Sequence, residues 1–508
     1  MWPLTFPFPC PPLITQSDRP FYPKRDGPYS IPTTSPSGDT VWRNADVPVL
    51  QDTPFNGCHT VFDVFEYAVS TNGGRPAMGE RSVVSSATVG GFEKLTLSEY
   101  KWSTFTQVKQ RVQNVASGLV DLAGVKPGDR VVIYADTKME WQVRPEGVCQ
   151  VPASLFYLSA GDCLSIHRDI LVLTKGSLTS ARTRPPTDPF FYRYQLAAQA
   201  VFSRGAAVVT IYATLGPEGL GHGVNQTQAE VVICDGKLLK NLLTVALDCP
   251  SLKYCVTMGD VPVDLLKKLP RSVTHEALRD VAARGARKPV DPTPPKREDV
   301  AVVMYTSGTT GAPKGVVLSH SNVCATMAGL AHAGDFTNKD VYLAYLPLAH
   351  IMEMAAEMVM LATGAAIGYG SPQTLTDTGL KLAVGTRGDA PTLRPTFMVF
   401  APAVLDRVRQ AVQAKFAGAS ATLRAVINAG LAAGEREFHN GRCGAPWLYN
   451  TLVFKKVQKL IGGRVRLMIS GSAPLSRETQ VRILFPTSRL PVCPYSYQKG
   501  LLTVPIQD

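Results

Sequence analysis

The chain has 508 residues, enough for two or three domains, and its composition of 45% hydrophobic and 18% charged residues is ordinary for a globular protein. This composition argues against extensive disorder. The formal net charge of +12 favours anionic partners and is equally consistent with a generally basic solvated surface. No strip of lysine and arginine with interleaved aromatic residues is present, so the sequence does not favour nucleic acid as a partner.

The ten cysteines are scattered and form no C-x-x-C pair. Their spacing predicts neither a zinc site nor a disulfide framework, which fits a reducing compartment. No run of about 18 uncharged apolar residues occurs, so no membrane-spanning helix is predicted.

The first predicted elements follow a proline-rich N-terminal arm over residues 1–55. Helical apolar spacing after a capping threonine predicts a helix from Thr60 to Tyr67. A longer amphipathic helix is predicted over Phe105–Leu122, and the Pro-Gly pair in Val125–Asp129 predicts a turn. The apolar run Val131–Ala135 then reads as a buried parallel strand.

Two further apolar runs predict strands at Ala207–Tyr212 and Glu230–Cys234. After a proline-rich connector over residues 286–299, Val302–Tyr305 predicts another strand. Because helical patterns separate these strands, the predicted fold class is α/β.

The segment Tyr305–Gly315 reads YTSGTTGAPKG and follows directly on a predicted strand. Its glycines allow a tight turn in which backbone N–H groups converge on an anion, and its hydroxyls and Lys314 add donors and positive charge. The pattern therefore indicates a polyphosphate-binding loop rather than a flexible surface loop. It is not a Walker A loop, because Gly315 rather than serine or threonine follows the lysine, and no G-x-G-x-x-G follows a strand.

This loop resembles the signature loop of the adenylate-forming superfamily, which includes acyl-CoA synthetases, luciferases and peptide-synthetase adenylation domains. The resemblance continues at Tyr345–Glu353 (YLPLAHIME) and at Ser470–Ser476 (SGSAPLS). The segment Tyr369–Asp377 is similar to the long-chain acyl-CoA synthetase branch, particularly its plant-type members. The similarity covers roughly residues 56–142 and 196–480.

The resemblance implies the large N-terminal domain of an adenylate-forming enzyme, built of stacked αβα layers. It assigns catalytic positions to Lys314 and His350. It further implies that the nucleotide is held at two segments, with the phosphates at Thr306, Ser307, Gly308, Thr309, Thr310 and Gly311 and the adenine at Gly471, Ser472, Ala473 and Pro474. Taken alone, His350 is better interpreted as a core histidine of an apolar helix, and it is the surrounding motif that favours a site role. From the residues alone, Gly471–Pro474 is equally a plain turn after a strand.

Two glutamates, Glu353 and Glu357, lie one helical turn apart in a segment rich in methionine and alanine. Paired carboxylates can serve acid–base or metal chemistry, but this spacing is more typical of a solvated helix edge, so neither is predicted to be catalytic. The methionines at 352, 354, 358 and 360 are predicted to be core. No metal ligand is assigned.

The sequence departs from the family pattern in two places. Residues 143–195 interrupt the predicted AMP-binding domain, which spans 56–480, and residues 481–508 replace the motifs expected next, including the C-terminal domain. Both departures begin with the same tripeptide, Gln-Val-Arg, at 142–144 and 480–482. Every valine codon begins with GT and a glutamine codon such as that of Gln195 can end in AG, which are the borders of an intron, so the hypothesis is that both segments are retained introns read in frame. A genuine insertion loop and a regulated short isoform are the alternatives.

The function that the resemblance implies is ATP-dependent activation of a long-chain fatty acid to an acyl-adenylate and its ligation to coenzyme A, with Mg²⁺ accompanying ATP. On the expectation above, this chain is impaired in that activity. The alternatives are a ligase for another carboxylic acid, and a non-catalytic truncated protein that binds fatty acid, membrane or a partner. The family further implies an intracellular location on a membrane periphery, without distinguishing endoplasmic reticulum, plastid envelope or peroxisome.

Overall fold

A computed structural model describes residues 30–34, 40–44, 52–55, 57–89, 92–135, 193–259, 261–306, 312–439 and 447–471. Of the predicted features, the segment 136–192, the loop residues Ser307–Gly311 and everything after Gly471 lie outside the described residues. None of the described helices is long and apolar enough to cross a lipid bilayer.

The strands occur in three sheets. In chain order they are β1 (Ser30–Thr34), β2 (Thr40–Asn44), β3 (Pro76–Val89), β4 (Phe92–Thr104), β5 (Arg130–Tyr134), β6 (Ala207–Thr210), β7 (Val231–Asp235), β8 (Tyr254–Met258), β9 (Thr274–Ala277), β10 (Val300–Thr306), β11 (Lys314–Ser319), β12 (Val341–Ala344), β13 (Ala366–Tyr369), β14 (Phe397–Phe400) and β15 (Leu467–Ser470).

The helices alternate with these strands. They are α1 (Val61–Asn72), α2 (Phe105–Ala123), α3 (Arg193–Phe202), α4 (Gly216–Thr227), α5 (Leu239–Val245), α6 (Val263–Leu266), α7 (Leu278–Arg287), α8 (His320–Ala333), α9 (Ile351–Ala362), α10 (Asp389–Leu393), α11 (Pro402–Ala417), α12 (Ala421–His439), α13 (Trp447–Tyr449) and α14 (Lys455–Lys459). A π-helical turn over Asn450–Phe454 joins the last two.

The larger sheet has seven strands in the order β11-β10-β6-β5-β7-β8-β9, and the second has six in the order β15-β14-β12-β13-β3-β4. Only the pairs β10–β11 and β3–β4 are antiparallel within these two sheets. The α/β class predicted from the sequence is therefore confirmed. Strands buried on both faces explain why runs such as Val131–Tyr134 read as continuous apolar segments.

Local sequence explains where the first helices begin. Thr60 caps α1 through a capping box with Asp63, and Thr104 caps α2 in the same way with Gln107. Helix α2 ends at Gly124, which adopts a left-handed conformation with φ of 65°. Both predicted helices are confirmed, and α2 differs from its predicted bounds by a single residue.

The main hydrophobic core joins the two large sheets. It contains apolar side chains of β5 and β6 from one sheet, β13 and β14 from the other, and helices α1, α2, α3 and α9. Helix α3 begins at Arg193, and Tyr194 and Gln195 are already buried in this packing. The methionines at 354, 358 and 360 are fully buried and Met352 is half-buried, which confirms their predicted core role.

Candidate active site at the edge of two sheets

The two ends of the predicted phosphate loop are held side by side. Strand β10 is buried along most of its length and ends at the exposed Thr306, while β11 begins at the exposed Lys314. These two residues are direct partners in the antiparallel β10–β11 register. The segment between them therefore connects two paired strands, and it leaves the sheet at the carboxyl end of β10.

Tyr305 anchors this end of β10. Its hydroxyl donates a 2.5 Å hydrogen bond to Oε1 of Gln226, and its ring lies edge-on to His222. A Cβ atom added to Gly315 would lie 3.0 Å from Cζ of this tyrosine, which accounts for glycine at that position. Burial raises the pKa of the Tyr305 phenol, so the group is a neutral donor at physiological pH.

His350 lies at the N-terminus of α9 and not inside a helix. Its Nδ1 accepts the N–H of Met352 at 3.2 Å, so its side chain caps the helix. Burial lowers the pKa of His350. The ring is therefore neutral near pH 7 and carries its proton on Nε2, because Nδ1 acts as an acceptor.

The segment that carries His350 touches the seven-stranded sheet. The hydroxyl of Thr210, at the end of β6, lies 3.4 Å from the carbonyl oxygen of Ala349. Thr210 is also the register partner of Met304 on β10, two residues before Thr306. Sequence reasoning did not single out Thr210, although ligand sites collect at the carboxyl ends of parallel strands.

Gly471 brings the third predicted segment to the same place. It follows directly on β15, and a Cβ atom there would lie 2.8 Å from the sulfur of Met352 in the first turn of α9. Its N–H points to the carbonyl oxygen of Phe400 at the end of β14, 3.4 Å away. The structure thus brings Thr306, Lys314, His350 and Gly471 to the facing edges of the two sheets, while Ser472, Ala473 and Pro474 lie outside the described residues.

The prediction that Glu353 and Glu357 form a solvated helix edge is wrong. Both side chains are buried, with exposed fractions of 0% and 1%. Tyr342 on β12 donates a 2.6 Å hydrogen bond to Glu353, and Tyr369 on β13 donates an equally short one to Glu357. The two tyrosines come from strands on which α9 packs. The four-residue spacing of the glutamates carries no information about these tertiary contacts, so it could not predict their burial.

Burial also decides the charge of this pair. It raises the pKa of Glu353 well above the usual range and that of Glu357 to about 8, and the repulsion between the two carboxylates adds to the effect at Glu353. The pair therefore retains at least one proton near neutral pH. Glutamine Nε2 atoms from Gln195 and Gln199 on α3 approach the sulfur of Met358, the residue after Glu357, at 3.3 Å and 3.1 Å, and all three side chains are buried.

The described residues contain no group of three or more histidine, cysteine, aspartate or glutamate side chains arranged to hold a metal ion. The described cysteines at 58, 234, 249, 255 and 324 are buried. The donors at the site are instead hydroxyls, one lysine, one neutral imidazole and backbone groups. Such a set is suited to anionic oxygens, including those of phosphates and carboxylates.

Comparison with known proteins places these segments in a family. The family described as AMP-binding enzyme matches residues 68–151 and 191–492. Long chain acyl-CoA synthetase 8 of Arabidopsis thaliana is 34% identical over 451 residues, covering 86% of this chain and 55% of the relative. Long-chain-fatty-acid–CoA ligase 1 of Schizosaccharomyces pombe is 32% identical over 463 residues, covering 87% of this chain and 60% of the relative.

Solved structures show the same fold. The adenylation domain of a carboxylate reductase from Mycobacterium chelonae has a TM-score of 0.57 at 20% identity, covering 86% of this chain and 59% of that one. The corresponding domain from Segniliparus rugosus, solved with AMP and a co-purified carboxylic acid, has a TM-score of 0.56 at 18% identity, covering 86% and 61%.

The chain spans somewhat more than half the length of these curated relatives. The family match includes the β10–β11 loop, His350 and the segment after β15, and it passes over residues 152–190. The resemblance inferred from the motifs is thereby confirmed: this chain belongs to the AMP-binding enzyme family, and its curated relatives include long-chain acyl-CoA synthetases.

Proposed function

We propose that this chain binds MgATP and a long-chain fatty acid, promotes attack of the carboxylate on the α-phosphate, and passes the resulting acyl-adenylate to coenzyme A. One observation carries the proposal. Contacts at Thr210–Ala349 and Met352–Gly471 bring the phosphate-loop strand, His350 and the predicted adenine segment to a single edge. A nucleotide that lies along this edge reaches all three segments.

The loop that starts at Thr306 and ends at Lys314 is suited to hold the β- and γ-phosphates. Both ends are exposed at the carboxyl edge of the sheet, where phosphate oxygens can approach the lysine ammonium from solvent. The Mg²⁺ ion enters with ATP as part of the substrate, neutralising phosphate charge. The protein then contributes mainly by positioning the reactants and stabilising the transferred charge.

His350 serves as a hydrogen-bond donor in this proposal. Its Nδ1 accepts the Met352 N–H, which places the ring proton on Nε2. In this proposal the Nε2–H orients a fatty-acid carboxylate or stabilises charge on the acyl-adenylate. The lowered pKa makes the ring a poor general acid, because the imidazolium form is rare near pH 7. A fatty-acid carboxylate is already ionised at that pH and needs no general base to attack.

The choice of a long-chain acid rests on the names of the relatives and not on an observed pocket. The relatives from Arabidopsis thaliana and Schizosaccharomyces pombe are called long-chain synthetases or ligases, and their similarity extends over most of this chain. A shorter or aromatic acid is the alternative substrate class. Comparing the rates that long-chain, short-chain and aromatic acids support distinguishes the two classes.

The test is exchange of pyrophosphate into ATP, measured with the 508-residue chain in the presence of hexadecanoate, butanoate or benzoate. Exchange that depends on hexadecanoate is expected, at a rate below that of a full-length relative, in line with the impairment expected from the sequence. Lys314→Gln should lower exchange by roughly 10²-fold or more, as for removal of one preorganised electrostatic contact. The matched control is Lys339→Gln, which changes another exposed lysine and should leave exchange unaltered.

A second pair of variants separates the two roles of His350. His350→Asn retains an acceptor that can cap α9 but loses the Nε2–H, so it should keep stability and lose exchange. His350→Ala should lose both. Failure of every acid to support exchange, together with failure of hexadecanoyl-sulfamoyl-adenosine to bind in calorimetry, would overturn the proposal.

A further inference from the structure

Two tyrosine–glutamate pairs hold α9 on the six-stranded sheet. In the first pair, Tyr342 on β12 donates to Glu353, and in the second pair, Tyr369 on β13 donates to Glu357, each over 2.6 Å. All four side chains are buried, with at most 4% exposed. The pairs therefore match in chemistry, bond length and burial, and they differ in their position along the helix. Glu353 lies in the first turn of α9 and Glu357 one turn further on.

The first pair closes the loop that carries His350. Tyr342 lies on β12 before this loop and Glu353 lies on α9 after it, so their hydrogen bond joins the two ends of the loop. Within the loop, the His350 N–H donates to the carbonyl oxygen of Pro347 at 3.0 Å, and the His350 carbonyl oxygen accepts the N–H of Glu353 at 3.0 Å. Glu353 is thus bonded to His350 through the main chain and to β12 through its side chain.

The second pair closes a different connection. Tyr369 lies on β13, which follows α9 in the chain, so its bond to Glu357 joins the two sides of the turn between α9 and β13. Glu357 is seven residues after His350 and makes no main-chain hydrogen bond to it, because α-helical bonds link residues four apart. Loss of the second pair therefore loosens the far end of α9 and leaves the loop that carries His350 closed.

A weaker contact ties the same loop to the seven-stranded sheet. The hydroxyl of Thr210 lies 3.4 Å from the carbonyl oxygen of Ala349, which is longer than an ordinary O–H···O hydrogen bond. The 2.6 Å bond of the first pair is the stronger of the two polar ties. The position of His350 between the two sheets consequently depends more on Tyr342 and Glu353 than on Thr210.

We propose that Tyr342 and Glu353 are positioning residues that hold His350 at the edge between the two sheets, an inference that rests on the proposed function. Neither side chain reaches the reactants, because both are completely buried beneath the loop. They act through the place of the imidazole. A displacement of about 1 Å at a group that orients a reactant can cost roughly 10²-fold in rate.

The protonation of Glu353 supplies a conservative variant. Burial and the repulsion from Glu357 raise the pKa of Glu353, so its carboxyl group keeps its proton near pH 7. A protonated carboxyl group and an amide have nearly the same shape, and the glutamine oxygen can accept the Tyr342 hydroxyl. Glu353→Gln should therefore keep His350 in place, whereas Glu353→Leu fills a similar volume and offers no acceptor.

The test is pyrophosphate exchange by the 508-residue chain with hexadecanoate, analysed for kcat and for the KM of ATP. Tyr342→Phe and Glu353→Leu should each lower kcat by roughly 10- to 100-fold. The KM of ATP should stay unchanged, since neither residue lies on the strands of the phosphate loop. Glu353→Gln should restore kcat to near the wild-type value.

The matched control is Tyr369→Phe, which removes a buried hydrogen bond of the same length from the same helix. It should destabilise the fold to a similar extent as Tyr342→Phe and leave kcat unchanged. Circular dichroism and thermal melting establish that each variant is folded at the assay temperature. Equal losses of kcat in the two tyrosine variants would overturn the proposal, because a general loss of stability would then explain both.

A second measurement does not depend on turnover. The chain contains eight histidines, and in a protein labelled with ¹³C-histidine the NMR signal of His350 is the one missing from His350→Asn. Burial holds the pKa of His350 below the ordinary 6.5. Tyr342→Phe should admit water to the ring and move this pKa towards 6.5, while Tyr369→Phe should leave it where it is.

The two measurements separate this inference from the proposed function. A wild-type chain that catalyses no exchange with any acid counts against the proposed function, and the NMR titration then still decides whether the first pair positions His350. An active wild-type chain whose Tyr342→Phe variant keeps both its kcat and its His350 titration would overturn the positioning role alone.

Discussion

The hydroxyl of Tyr342 donates a 2.6 Å hydrogen bond to Oε2 of Glu353, and both side chains are completely buried. Tyr342→Phe should destabilise the fold by about 1–3 kcal/mol, because a buried carboxyl group loses its donor. Tyr345 is a matched control. Its hydroxyl is buried without a hydrogen-bond partner among the described residues, so Tyr345→Phe should cost little. Urea unfolding midpoints of the two variants measure the difference, and equal losses would contradict this account.

The buried Glu357 carboxyl group is expected to make the protein less stable as pH rises from 4.5 to about 8. Its folded pKa is about 8 against an ordinary value of 4.5, so the folded state binds the extra proton between these limits. The contribution of this group to stability is complete below pH 4.5 and is lost as pH rises through 8, at about 1.4 kcal/mol per pH unit. The stability of Glu357→Gln relative to the wild type should therefore increase as pH rises from 5 to 8. The free energies of unfolding of both proteins, measured across that range, should diverge; parallel curves would show that the carboxyl group does not titrate as stated.

His320 predicts the opposite dependence on the acidic side. Its Nδ1 accepts the N–H of Val61 at 3.2 Å, and burial lowers its pKa from 6.5 to about 4. The unfolded state then binds the extra proton first, so stability is complete above pH 6.5 and falls by up to about 3 kcal/mol as pH drops towards 4. His320→Asn keeps an acceptor but cannot titrate, so its melting temperature should fall less than that of the wild type between pH 7 and 4. An equal fall in both proteins would show that His320 does not cause the loss of stability in acid.

The ion pair between Arg81 and Asp389 predicts a large cost on mutation. The two side chains are 4% and 2% exposed at a distance of 2.9 Å, and burial raises the pKa of Asp389 in spite of the guanidinium. Asp389→Asn leaves the arginine charge buried without its counter-ion and should cost about 3–5 kcal/mol in chemical unfolding. The exposed pair Lys253–Glu230 offers the comparison: Lys253→Gln should cost less than about 1 kcal/mol. Similar costs at both sites would contradict the role of burial.

The contact between Gly471 and Met352 predicts an effect on nucleotide binding, given the proposed function. Gly471→Ala places a Cβ atom 2.8 Å from the Met352 sulfur, so the flexible Met352 side chain must shift within the first turn of α9, beside the proposed adenine segment. Affinity for hexadecanoyl-sulfamoyl-adenosine should fall roughly tenfold. Met352→Ala in the same chain removes the clash, so the double variant should recover most of the affinity in calorimetry. Equally weak binding by the single and double variants would exclude this contact as the cause.

Local sequence patterns were sufficient to predict the helices and strands named above and the α/β fold class. The apolar period of α2 and its Thr104–Gln107 capping box lie within one short segment, and so do the continuous apolar runs of β5 and β7. The environment of Glu353 depends instead on Tyr342 and Tyr369 from two different strands, which no helical spacing can reveal. His350 caps α9 from the position directly before the helix. Apolar periodicity does not fix where a helix begins to within one residue, so it could not distinguish a capping position from a position inside the helix. The roles of Lys314, His350 and Gly471 stay predictions, although the structure brings the three close together.

The pairing of β3 with β13 has a consequence for biosynthesis. Met78 is the register partner of Ile367, so the strand made early must wait for a neighbour that is translated 289 residues later. At ordinary elongation rates this delay is roughly 15 to 60 seconds. During that time the β3–β4 hairpin has no neighbouring strand and the apolar face of α1 is not covered by α9. The nascent chain therefore exposes apolar surface and an unpaired strand edge, which favour aggregation. Yield in cells should consequently depend on holding chaperones more than on the final stability of the folded protein.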